Sequence, residues 1–101
     1  MADTRIVRAE IKNGPDDLVA LELEFDTDIT GLPSAVLDAI GQLDGYSDAV
    51  IPDGLDATLI VTGKFAEPET TFWGIVSAFN CSGVATDALT PPTDRRQASS
   101  T

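Results

Sequence analysis

The stretch of this sequence richest in groups that could do chemistry is Phe25-Asp26-Thr27-Asp28-Ile29-Thr30-Gly31. Two carboxylates at this spacing can hold a hard cation or divide acid-base work between them. Read as a calcium loop opening at Asp26, the stretch places Asp28 and Gly31 correctly. The twelfth position, which must be a bidentate acid, is Leu37. Cys81 is the single thiol, and the chain has no histidine. A nucleophilic cysteine needs a neighbouring base or a lowered pKa, and a place at the C-terminal end of a helix raises the pKa instead. Cys81 is therefore expected as a small buried hydrophobe. The lack of histidine also removes histidine-based triads and the usual zinc sites. The expectation is a chain with no catalytic residue, no cofactor and no metal centre, with Asp26 and Asp28 as its only, weakly ligating, cation candidates.

The Asp26-x-Asp28-x-Thr30 string is similar to the signature of haloacid-dehalogenase-like phosphotransferases, in which the first Asp is the nucleophile and the second the acid-base. That resemblance implies a buried parallel strand ahead of the motif, a larger sheet, and further Lys and Asp motifs. The preceding stretch instead carries Glu22 and Glu24 on a wet face, as antiparallel strands do. The reading preferred is structural: Asp26, Asp28 and Thr30 end a strand and offer acceptors to the amides of the helix that follows.

Among residues suited to binding rather than catalysis, Trp73 and Tyr46 are aromatic anchors of the type that dominates protein interfaces. Arg95 and Arg96 could grip a phosphate or an acidic partner. These four are the interface candidates.

The elements that must position these residues can be read from hydrophobic periodicity. Val7, Ala9 and Ile11 alternate with Arg8, Glu10 and Lys12, and Val19, Leu21 and Leu23 alternate with Ala20, Glu22 and Glu24. Asn13-Gly14-Pro15-Asp16-Asp17 between them has turn composition, so the two strands form a hairpin. Pairing Lys12 with Leu18 would set Ile11 beside Val19, Ala9 beside Leu21, Val7 beside Leu23 and Arg8 beside Glu22, leaving Ile6 out of the alternation. A helix is expected over Pro33 to Leu43, with Leu32, Val36, Ile40 and Leu43 on one face and a stop at Asp44-Gly45. Tyr46 to Ile51 and Ala57 to Lys64 read as a short and a longer strand around the turn Pro52-Asp53-Gly54. A second helix starts near Glu67-Pro68-Glu69-Thr70 and runs to Asn80, with Phe72, Ile75, Val76 and Phe79 inward and Trp73 to one side. Val84 to Leu89 reads as a last strand. Leaving out the first strand, the order βαββαβ resembles the ferredoxin-like arrangement. That resemblance implies an α+β fold with an antiparallel sheet, two helices on one face and an extra N-terminal strand. Residues 1–90 form one domain and 91–101 a polar tail.

With 101 residues, 43% hydrophobic, the chain has enough apolar content to fold as one domain. No apolar run approaches the roughly 20 residues of a membrane-spanning helix, and Arg5 and Arg8 stand where a secretory leader would be apolar. A cytoplasmic location is expected, with no membrane partner. Seventeen acidic against six basic residues give a net charge of -11, which repels nucleic acid. The Asp-rich, Lys-poor balance resembles that of extreme-halophile proteins, whose carboxylates need salt to screen them. The function expected is a non-catalytic interaction or assembly module, a homo-oligomer or bound to another protein. Other expectations are a structural subunit of a virion or shell, a small-ligand-sensing regulatory domain, and an acidic inhibitor that mimics DNA.

Overall fold

Alternating side chains in the first two strands bury one face of each and fix how they pair. In the computed structural model, which describes residues 4–81, 86–88 and 92–94, β1 (Thr4–Asn13) and β2 (Val19–Phe25) form an antiparallel hairpin. Its register is Lys12 with Ala20, Ile11 with Leu21, Ala9 with Leu23 and Arg8 with Glu24. This is two residues from the expected pairing. The turn takes all of residues 14–18, closed by a hydrogen bond from Gly14 N to Leu18 O of 2.7 Å, so Leu18 does not pair. A shift of two keeps every side chain on its own face, so the inward and outward sets hold for most of β1. Val7 is the exception. The register slips between Ile6 and Arg8, making Val7 the extra residue of a bulge; Ile6 turns inward opposite Phe25 and Val7 is 54% exposed.

After β2 the chain forms α1 (Ser34–Ile40), β3 (Tyr46–Val50), β4 (Thr58–Gly63) and α2 (Pro68–Cys81). Two short strands, β5 (Thr86–Ala88) and β6 (Thr93–Asp94), follow. Val36 and Ile40, one turn apart, are the buried residues of α1. Phe72, Ile75 and Phe79 form the inner stripe of α2, whose first turn holds Pro68 and Glu69 as the missing N–H and the helix dipole favour. These residues pack in one core with Leu21, Leu23, Phe25, Leu59 and Val61 from the inward side of the sheet. Each large apolar side chain so buried contributes about 1.5–3 kcal/mol. Phe25 and Phe79 meet ring to ring at 5.3 Å.

The strand order is β3-β4-β2-β1-β5, with β6 also pairing with β1. β2, β4 and β3 pair antiparallel, whereas β5 and β6 run parallel to β1. The fold is α+β as expected, but the sheet is mixed and its order is not the ferredoxin-like one. The local hairpin explains the difference. A turn of five residues closes at small entropic cost, so β1 takes the edge of β2, and the C-terminal strands must add outside β1. Both lie along the same edge, because Glu10 and Ile11 pair with β2 on one side and with Thr93 and Asp94 on the other. Part of the stretch read as a polar tail thus joins the sheet. The expected strand limits at Val84 and Leu89 fall outside the described residues, as do Arg95 and Arg96.

Entry to β3 depends on a close backbone approach. Gly45 takes φ +86°, and its carbonyl accepts a 2.9 Å hydrogen bond from the Lys64 amide. A Cβ at Gly45 would collide with the Lys64 carbonyl oxygen, and one at Gly63 would meet the Phe65 ring at 2.7 Å.

Candidate interaction surface

With both helices on the inward side, the outward side of the sheet carries no helix among the described residues. The pairings lay out its side chains in rows. One row runs Val50, Ile60, Glu22, Glu10 and ends at Thr93; a second runs Asp48, Thr62, Ala20, Lys12; a third runs Thr58, Glu24, Arg8. Val50 is 47% exposed and Ile60 half-buried, so the β3 side of this surface carries one apolar pair beside the polar Asp48, Thr62 and Thr58, and the β1 side is charged.

Glu10 and Glu22 stand directly opposite each other, a like-charge pairing that destabilises a sheet. Lys12 resolves it by reaching both, at 3.3 Å to Glu10 and 2.7 Å to Glu22. Its hydrogen bonds to Glu22 and then Glu10 hold the ammonium above the ordinary lysine range. Arg8 pairs with Glu24 at 2.9 Å. With its side chain 45% exposed, Lys12 works in a screened setting. Lys12→Met is expected to cost about 1 kcal/mol in dilute buffer, from the lost pairs with Glu22 and the largely buried Glu10 and the repulsion uncovered between them. Urea melts at low and molar salt would check this, since the loss should shrink as salt screens the pair. Because the folded-state pKa is raised, the contribution of Lys12 is full below the unfolded value of about 10.4 and disappears as pH rises through the folded one.

The sequence candidates lie elsewhere. Asp26 accepts a 3.0 Å hydrogen bond from the Arg5 amide and returns one from its own amide to the Arg5 carbonyl at 2.9 Å, tying the end of β2 to the bulged start of β1. Asp28 accepts from the amide of Thr30 at 2.8 Å and from its hydroxyl, forming a local turn; these bonds hold its carboxyl below the usual carboxylate range. Neither caps α1, which begins after Pro33 without a side-chain cap. The expectation of a cap is corrected on this point. No group of three or more metal-ligating side chains occurs among the described residues.

Tyr46 is half-buried and packs on the core at the start of β3. Trp73 is 41% exposed and sets its ring edge-on to Phe72 at 4.8 Å. Helix geometry turns it about 100° from that inner residue. Cys81 is exposed, not buried, because it falls on the side of α2 away from Phe72, Ile75 and Phe79.

Comparison with models of known families, with curated proteins and with solved structures gives no match to this chain. The geometry alone must therefore carry the functional reading. Among the described residues no helix is long and apolar enough to cross a membrane. A shallow cleft of about 430 Å³ lies where β6 passes the start of α2, lined by Ile11, Glu67, Pro68, Glu69, Thr70, Pro92 and Asp94. It brings together the carboxyl groups of Glu67, Glu69 and Asp94 with the hydroxyl of Thr70.

The Lys12 bridge is not visible in the sequence because the opposition of Glu10 and Glu22 depends on the length of the turn, which moves the register by two residues from the expected one. A signal was present for the bulge alone: Ile6 and Val7 are adjacent apolar residues between Arg5 and Arg8, and such a doublet in an alternating strand marks one.

Proposed function

We propose that this chain is a non-catalytic protein-interaction module that assembles with copies of itself or with another protein. The observation carrying this reading is the side of the sheet that has no helix among the described residues, where Val50 and Ile60 lie beside carboxylates paired with Lys12 and Arg8. A module built to receive a protein needs such a surface, part apolar and part charge-matched. Elsewhere the acidic excess dominates, and copies of a chain carrying -11 repel one another until salt screens them. Salt-dependent folding and association belong to the same reading.

Light scattering with circular dichroism, across a series from dilute buffer to molar potassium chloride, tests it. The expected result is a loosely folded monomer at low salt and a folded multimer at high salt, with a partner recoverable where copies alone do not suffice. A folded monomer throughout, with no partner, overturns the reading.

A further inference from the structure

Among the described residues β3 stands at one edge of the sheet, with β4 as its only partner strand. Which of its backbone groups face outward follows from the strands behind it. The Phe25 amide donates to the Ala57 carbonyl at 2.7 Å, so residues 25 and 57 form a hydrogen-bonded pair between β2 and β4. Such pairs alternate along an antiparallel ladder, which makes Leu23 with Leu59 and Leu21 with Val61 hydrogen-bonded as well. The amide and carbonyl of Val61 therefore point toward β2. Ala49 lies opposite Val61 on the other side, in a pair without hydrogen bonds, so its own amide and carbonyl point away from β4.

An outward amide on an edge strand is a template on which another strand can build. Here that donor is already occupied: the Ala49 amide donates to Asp48 Oδ1 at 2.9 Å. Asp48 is exposed and has no ion pair among the described residues, unlike Glu10, Glu22 and Glu24 on the same side of the sheet. Its carboxylate thus sets a negative charge at the edge and covers the group an incoming strand would need. Two further features act in the same direction. β3 is only five residues long, and its register shifts between Tyr46 and Asp48, leaving Ser47 as the extra residue of a bulge that bends the edge.

We infer that Asp48 guards the β3 edge, its carboxylate closing the Ala49 amide to a second copy of this chain. Without the guard, two copies would pair β3 against β3, antiparallel about a two-fold axis, and join their sheets into one. The inference goes beyond the assembly reading and is independent of it, since it concerns the edge and not the broad side of the sheet.

The test follows the Ala49 amide and the mass of the full chain in molar potassium chloride, where charge repulsion is screened and the hydrogen bond is the barrier that remains. Asp48→Ala removes the acceptor, whereas Asp48→Asn removes the charge and keeps an acceptor oxygen. Hydrogen exchange is read by NMR and corrected for the changed neighbour. In dilute Asp48→Ala the Ala49 amide should exchange about tenfold faster than in the native chain or in Asp48→Asn, as for a lost charge-assisted bond. As concentration rises, light scattering should show Asp48→Ala approaching about twice the native mass, with the amide slowing again as it pairs with a second copy. Asp48→Asn should keep the native mass. Both readouts are differences from the native chain, so they hold whatever its own state of assembly. An Ala49 amide equally slow in all three chains has another acceptor, and overturns the inference. A fast amide in Asp48→Ala with the native mass at every concentration overturns it too, because the uncovered edge then gathers no copies.

Discussion

Phe79→Ala is expected to remove about 3–5 kcal/mol of folding stability, the range for emptying a fully buried aromatic site. The ring is wholly enclosed, stands 5.3 Å from that of Phe25, and shares its core with Phe72, Leu21 and Ile40. It therefore joins α2 to the central strand β2. Deletion loses the transfer free energy and leaves a cavity that the β2 and β4 side chains, held by their ladders, cannot collapse to fill. A domain of this size has about 5–15 kcal/mol in total, so the variant should sit near its unfolding transition. A urea melt followed by circular dichroism at high salt should show the midpoint fall with little change of slope. A loss below about 1 kcal/mol would mean that Phe79 is not buried as described.

Gly45→Ala is the second large effect, and its cause lies in the backbone. The residue occupies the left-handed region at φ +86°, which costs an alanine about 1–2 kcal/mol by itself. The new methyl would also strike the Lys64 carbonyl oxygen, on the stretch whose amide donates back to Gly45. Relief requires β3 and the end of β4 to separate. The expected loss is about 2–4 kcal/mol, combining the conformational cost with a broken close approach. Gly54→Ala is a useful comparison. That residue also has a positive φ, of 80°, but nothing lies within 4 Å of where its Cβ would be. It should show the conformational part alone, so equal losses in thermal melts would show that the contact with Lys64 contributes nothing.

Much of the fold is legible in the sequence, because burial in a small sheet leaves a period in the residues. The alternation in β1, β2 and β4, the 72, 75, 79 stripe of α2 and the 36, 40 pair of α1 each follow from having one wet and one dry side. What periodicity cannot convey is which strands are neighbours. The inward sets of β1 and β2 are the same at either register, so face composition could not detect the two-residue shift. The placing of β5 and β6 outside β1 depends on contacts between the two ends of the sequence, which leave no local pattern. The candidate surface was less legible still. Lys12, Glu10 and Glu22 look like ordinary solvated charges until the pairing brings them together, and Asp26 and Asp28 look like a site until each is found tied to neighbouring backbone.

The parallel pairing of β1 with β5 and β6 also bears on how the protein is made. Thr4 ends up opposite Thr86, so during synthesis β1 waits for a partner that is made long after it. The hairpin with β2 can form early, but its far edge stays open until β5 and β6 have been made, in an arrangement whose distant contacts make for slow folding. Arg5, Arg8, Glu10 and Lys12 crowd that edge with charges of both signs, which discourages nascent chains on one polysome from pairing with each other.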